Sequence, residues 1–168
     1  GARSARRRLM SELPRSLKIV TLWLLVGVAV FLGVQWWQAQ QQRSLLRVEG
    51  GVIELRRGGD GHFHWPGTVN GVAVDFMVDT GATSTALPQA LAARAGLRGE
   101  GRISSSTAGG TVIGEIARAD VTLEGGVQLQ RLRVTVLPQL SHPLLGMDVL
   151  GKLHFSQRDG VLRLEPAR

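Results

Sequence analysis

Residues 47–168 predict an all-β body, sandwich-like or barrel-like, with one or two short helices, and a single apolar helix precedes it. Three observations carry this. Short runs of alternating apolar and polar residues recur along the segment. Turn signals separate them at Gly50-Gly51, Asn70-Gly71, Gly109-Gly110, Gly125-Gly126 and Asp159-Gly160. Ahead of them lies one uninterrupted apolar run, Ile19–Trp37, with no charged residue.

The N-terminal arm, residues 1–18, holds Arg3, Arg6, Arg7, Arg8, Arg15 and Lys18 against Glu12. Ile19–Trp37 follows, and its 19 residues span about 28 Å as a helix, close to a bilayer's hydrocarbon thickness. Trp36 and Trp37 suit the far interface, and Lys18 can reach the near one. With the cations ahead of the span, the positive-inside rule predicts a cytoplasmic arm and a periplasmic body at a bacterial inner membrane. A cleaved signal peptide is the rival reading, and Arg6-Arg7-Arg8 hints at a twin-arginine signal. Around Trp37-Gln38-Ala39, however, the small residues of a cleavage site are missing. Residues 38–46 are polar and read as an exposed, extended linker.

In the body, Val48, Val52, Ile53 and Leu55 form strands around the Gly50-Gly51 turn. The segments HFHWPGTV and VAVDFMV flank Asn70-Gly71, the strongest short hairpin signal. Pro88–Ala95 is the clear helix, with Pro in its first turn and Gly96 past its end. A second hairpin turns at Ala108-Gly109-Gly110, a third at Glu124-Gly125-Gly126 and a fourth at Arg158-Asp159-Gly160. A short helix is expected over Asp148–Leu153.

Charge excludes one function class. The chain's +7 suggests a nucleic-acid binder until it is located: the arm carries +5, and residues 38–168 carry 14 basic against 12 acidic residues. The arm therefore serves topology, and no nucleic-acid partner is expected. The absence of cysteine excludes disulfides, thiolate metal sites and a cysteine nucleophile.

The segment that bears chemistry is Val74–Thr85, an apolar strand ending in Asp79-Thr80-Gly81-Ala82. It presents a carboxylate in a tight turn. Gly81 allows close backbone approach, and the Thr80 hydroxyl can tie the turn down. Asp75, earlier on the same strand, reads as an exposed strand residue. His62 and His64 alternate on one face without a matching third ligand, so no metal is expected. Trp65 reads as a core or rim residue. Ser104-Ser105-Ser106 lacks a His/Asp pattern, and the Gly-rich Ala108–Gly114 stretch lacks the Lys and helix of a phosphate loop.

This pattern resembles the retropepsin-like aspartic proteases, and the layout that of the single-pass membrane-anchored members in Gram-negative bacteria. Asp79-Thr80-Gly81-Ala82 matches the catalytic loop. The hairpin tip Ser106-Thr107-Ala108-Gly109-Gly110-Thr111 lies where a substrate-covering flap would be, and Leu144-Leu145-Gly146 matches the element packed behind the catalytic loop. The resemblance implies a single-domain acid protease fold, a protein or peptide substrate, and no cofactor. Catalysis would use Asp79, Thr80 and Gly81, while Ala82 and the residues 106–111 would bind substrate.

Such chemistry needs two carboxylates sharing a proton around a water. The chain has one Asp-Thr-Gly, and Asp60-Gly61 and Asp159-Gly160 lack the middle hydroxyl residue. The resemblance therefore implies a two-fold homodimer with Asp79 from each chain, the Thr80 hydroxyl bonding across the axis. Two features depart from relatives: the chain has no Tyr for a flap gate, and Met147-Asp148 follows Gly146 where retropepsins often carry Arg. A catalytically silent dimerisation or peptide-binding module is the alternative, and an anchored all-β scaffold is a third reading.

Overall fold

The computed structural model describes residues 15–43, 45–107 and 109–166, and the chain divides into two compact units, Gly1–Arg43 and Ser44–Arg168. In the first unit, α1 (Arg15–Arg43) is one continuous helix. Its Ser16–Trp37 stretch is long and apolar enough to cross a membrane, a test that a signal sequence also meets. Trp23, Leu24, Phe31 and Trp36 are all exposed on it, and water would not tolerate apolar side chains on every face. One expectation changes here. Gln38–Arg43, read as an extended linker, continues the helix, and the first strand begins at Leu46. Gln and Ala are good helix formers, and neither Gly nor Pro interrupts QAQQQR, so polarity alone does not end the helix.

The second unit is two sheets. The smaller holds β1 (Leu46–Glu49), β2 (Val52–Arg56), β10 (Leu153–Arg158) and β11 (Val161–Pro166) in the order β1-β2-β11-β10. The hairpins turn at Gly50-Gly51 and Asp159-Gly160, where the backbone takes the positive φ that these residues tolerate. Ile53, Leu55, Leu162 and Leu164 alternate inward from β2 and β11 into the core.

The larger sheet contains β3 (His64–Val69), β4 (Val72–Val78), β5 (Ala86–Pro88), β6 (Gly101–Thr107), β7 (Gly110–Leu123), β8 (Val127–Leu137) and β9 (Leu144–Leu145). Its order is β3-β4-β9-β5-β8-β7-β6. β3 also pairs with the far end of β7, Gly67 opposite Leu123, so the sheet closes on itself as a barrel does. A Cβ at Gly67 would lie 2.3 Å from the Thr122 carbonyl oxygen, so closure requires glycine there. The third hairpin stands as expected, but its first strand does not stand alone. β7 runs unbroken for 14 residues from the second hairpin into the third. A bulge on β8, where Gln130 and Arg131 stand opposite the single residue Asp120, absorbs the mismatch between the two strands.

Trp65, Phe76, Leu87, Leu123, Leu145 and Val134 form the centre of the core. Trp65 is fully buried and donates its indole N–H to the Glu124 carbonyl at 2.8 Å, which makes it a core residue rather than a pocket wall. Two short helices complete the unit. α2 (Gln89–Arg94) follows Pro88 and stops before Gly96 at positive φ, and α3 (Met147–Leu150) begins one residue earlier than Asp148 and ends before Gly151.

Candidate active site

β4 delivers Asp79. Its last residues pair in parallel with β9, Met77 opposite Leu144 and Val78 opposite Leu145, and the Asp79 N–H then donates to the Leu145 carbonyl at 3.1 Å. Past this point the chain turns sharply. The Gly81 N–H donates to Asp79 Oδ1 at 2.8 Å, and the Ala82 N–H donates to the Asp79 carbonyl at 3.2 Å. The turn is thus tied by the aspartate's own carboxylate. Thr80, expected to tie it, is exposed, and no hydrogen bond among the described residues uses its hydroxyl. Asp79 is half-buried, with one carboxylate oxygen held and the side chain open toward solvent.

The structure brings Leu144-Leu145-Gly146 directly behind this turn. A Cβ at Gly146 would meet the Ser84 carbonyl carbon at 2.6 Å, the Ser84 oxygen at 2.7 Å and the Ala82 oxygen at 2.9 Å. Only glycine allows the two backbones to touch so closely. The Met147 N–H then donates to the Ala82 carbonyl at 2.8 Å, and the Asp148 N–H to the Thr83 carbonyl at 3.2 Å.

One residue here was not singled out from the sequence as part of the site. Asp148 Oδ1 accepts from the Thr85 N–H and the Thr85 hydroxyl, both at 2.9 Å, and from the Val149 N–H at 3.1 Å. Thr85 is fully buried, and its hydroxyl oxygen in turn accepts from the Gly146 N–H at 3.3 Å. Asp148 thus clamps the exit of the Asp79 turn to α3. The signal was present as an acidic residue in the first turn of a predicted helix just after Leu-Leu-Gly, but the pairing with Thr85 spans 63 positions. Replacing Asp148 by Ala leaves these donors without their acceptor and is expected to lower stability by about 3 kcal/mol. Asp148→Asn keeps an Oδ1 acceptor and should lose about 1 kcal/mol. Thermal unfolding of the full chain in detergent, followed by near-UV circular dichroism, separates the two.

The hairpin of β6 and β7 carries the other expected residues. Ser106 pairs with Thr111, and Thr107 with Gly110, whose φ of 110 makes the tight return possible. Ser106, Gly109, Gly110 and Thr111 are exposed, while Ala108 lies outside the described residues. β9, β5, β8 and β7 intervene between β4 and β6 in the sheet order, so the tip is a separate part of the site from the Asp79 turn.

Asp75 corrects the sequence reading. It is half-buried, and its Oδ2 lies 3.1 Å from His64 Nδ1, while His64 Nε2 lies 2.7 Å from Asp60 Oδ2. Burial pushes the Asp75 carboxyl above the ordinary carboxylate range, His64 pulling against it. The hydrogen bonds from His64 and from the His62 N–H hold Asp60 down to about 2. Asp75 faces away from the core that Phe76 enters, as alternation puts it, but His64 of β3 covers it there and leaves it half-buried.

A family model described as gag-polyprotein putative aspartyl protease matches residues 65–152 of the chain, which include the Asp79 turn and the Leu144-Leu145-Gly146 element behind it. The chain belongs to this family. Its fold is that of a retropepsin-like aspartic protease. It is similar to the crystal structure of a retropepsin-like aspartic protease from Rickettsia conorii, with a TM-score of 0.55 and 28% identity over 71% of this chain and 93% of that one. A looser likeness, TM-score 0.43 and 24% identity over 52% of this chain and 86% of the other, is to the EIAV protease complexed with the inhibitor HBY-793. Among curated proteins, the uncharacterized protein RP867 of Rickettsia prowazekii (strain Madrid E) is 35% identical over 106 residues, 61% of this chain. The chain spans about half the length of that relative, 46%. Within this retropepsin-like frame the matched stretch runs from Trp65 through the Asp79 turn and the hairpin to Lys152, just past α3.

Proposed function

We propose that the protein is a membrane-anchored aspartic endopeptidase that acts as a homodimer. One observation carries this: Asp79 stands half-exposed at a strand end, held through one oxygen by the Gly81 N–H and through its own N–H by Leu145, in a chain of an aspartic protease family. A single such carboxylate is half of an acid–base pair. A second copy of the chain, related by a two-fold axis, supplies the other.

In the dimer the two Asp79 carboxyls share one proton, because two like charges at about 3 Å cannot both ionise. The ionised carboxyl takes a proton from the bound water as the water's oxygen attacks the substrate carbonyl. The protonated carboxyl gives its proton to the developing oxyanion. Collapse of the tetrahedral intermediate passes a proton to the leaving nitrogen, and no covalent enzyme intermediate forms. The Thr80 hydroxyl, exposed in the single chain, is available to bond across the axis. The Ser106–Thr111 hairpin covers an extended substrate, which Ala82 and the tip residues hold through main-chain hydrogen bonds.

The Ile19–Trp37 span anchors the enzyme in the bacterial inner membrane. The basic arm is cytoplasmic and the protease domain periplasmic, supported by the cations before the apolar run. Tethering raises the effective concentration of domains and favours pairing.

Mixing wild type with Asp79→Asn tests the reading. Full chains are combined in detergent, allowed to exchange subunits and assayed on an unstructured protein. If pairs form at random and only two-Asp79 pairs cut, an equal mixture retains about a quarter of the wild-type activity at the same total protein. Retention of about half would mean that each chain works alone. No cleavage by the wild type, with dimers present and peptide bound, would establish the silent binding module instead.

A further inference from the structure

We propose that a basic pocket on the flank of the Asp79 loop binds acidic side chains of the substrate, so that the protease selects acidic residues on both sides of the bond it cuts. The inference rests on the protease reading above and concerns which substrates that site takes.

The pocket has a volume of about 610 Å³. Ser84, two residues past Ala82, and Ile103, on the first strand of the flap hairpin, lie on its wall, so it borders the segments that carry both parts of the site. Arg131 and Arg133 from β8 and Lys152 from the turn after α3 supply three cations to it, against the carboxylate of Asp148. Asp148 is already committed, its Oδ1 taken up by Thr85 and Val149. Among the described residues none of the three cations forms an ion pair.

Two independent features show that this arrangement works against the fold. Arg133 stands directly opposite Arg118 in the β7–β8 register, and like charges in that position destabilise a sheet. Glu100, at 3.0 Å from Arg118, offsets part of that repulsion, while Arg133 itself has no ion pair among the described residues. Arg131 takes a left-handed backbone, φ 50, in the middle of a strand, at the bulge where its N–H donates to Asp120 Oδ1 at 2.8 Å. A non-glycine residue in that region carries strain of about 1–3 kcal/mol, and a bulge of this kind re-aims a side chain. The domain thus keeps strain and repulsion at one pocket beside its reactive loop, and a ligand carboxylate relieves the repulsion. A guanidinium receives a carboxylate through two parallel hydrogen bonds.

The geometry commits to a substrate side chain rather than to a lipid headgroup, since the β8 wall is flanked by Ser84, just past the Asp79 loop, and by Ile103 of the flap strand. In the two-fold dimer there are two such pockets, one on each side of the axis. An extended substrate crossing the axis therefore meets one on each flank, and the preference for acidic residues appears twice.

The test uses the full chain in nanodiscs and a set of peptides with a common apolar centre. Glu and its neutral isostere Gln are exchanged position by position on both flanks, and kcat/KM is measured. We expect a preference for Glu of about tenfold at one or more positions on each flank, reduced at high salt as an exposed charge contact should be. In the double variant Arg133→Gln/Lys152→Gln the Glu/Gln ratio should fall to near one. Equal rates for Glu and Gln at every position in the wild type overturn the proposal. So does a preference that survives in the double variant, or one that follows the anionic lipid content of the nanodisc instead of the peptide. Should no peptide be cut, the protease reading fails by itself, and binding still reads the pocket. Fluorescence anisotropy of labelled Glu-rich and Gln-rich peptides on the Asp79→Asn chain must then favour the Glu peptide, and equal binding overturns the pocket.

Discussion

Asp79→Asn is expected to lower kcat/KM on an unstructured protein substrate by about 10³-fold or more, with the dimer intact. The substitution is nearly isosteric, and the Asn oxygen can still accept from the Gly81 N–H as Asp79 Oδ1 does at 2.8 Å. The loop therefore stays in place. What disappears is the proton chemistry: an amide neither takes a proton from water nor returns one to nitrogen at ordinary pH. In a homodimer one mutation removes both the acid and the base, so the loss exceeds that of a single general base. The wild type should also show a bell-shaped pH profile, whose two apparent constants belong to the pair of carboxyls and not to either chain's Asp79. Any residual rate of the variant should lack that bell. Cleavage within about tenfold of the wild type, with the same profile, would remove Asp79 from the chemistry altogether.

Gly146→Ala is the second large effect, and it acts without touching a reactive group. The new Cβ would sit 2.6–2.9 Å from three backbone atoms of Ala82 and Ser84. Backbone cannot swing aside as the end of a long side chain can. Either α3 or the Asp79 loop must move, which breaks the bonds from Met147 to Ala82 and from Asp148 to Thr83. Overpacking of this kind costs about 3 kcal/mol in a rigid core. The same shift misplaces Asp79, since its N–H hangs on Leu145, the residue before Gly146. A displacement of about 1 Å at a reacting group is enough to lose some 10²-fold in rate. Stability and kcat should fall together, measured by thermal unfolding and by single-turnover cleavage of the full chain. Full activity in a stable Gly146→Ala protein would mean that the contact behind the loop positions nothing. Gly101→Ala, where a Cβ meets no atom within 4 Å, is the control, with little effect expected.

How much of this was legible in the chain differs by element. Hairpins were, because Gly50-Gly51, Asn70-Gly71 and Asp159-Gly160 take backbone conformations that few other residues accept. α2 was legible from Pro88 and Gly96, and the Asp79 turn from Asp-Thr-Gly after an apolar strand. These features are local, set by dihedral preferences and side-chain period within a few residues. The helix end at Arg43 was misread because a polar segment can still be a good helix former. The half-burial of Asp75 was not legible because alternation states only which face a residue takes, and the pairing of β3 with β4 is what brings His64 over it.

Sequence by itself determined the strand-and-turn content, the apolar span, the one carboxylate motif per chain and its family resemblance. Tertiary structure decided which distant residues stand beside that carboxylate. It closed the sheet at Gly67 and pressed Gly146 against the loop. It also set Asp148 on Thr85 and gathered Arg131, Arg133 and Lys152 around one pocket. The physical reason is range: dihedral preference acts over a few residues, whereas contacts across 60 or so positions, such as Asp148 on Thr85, exist only once the whole sheet has formed.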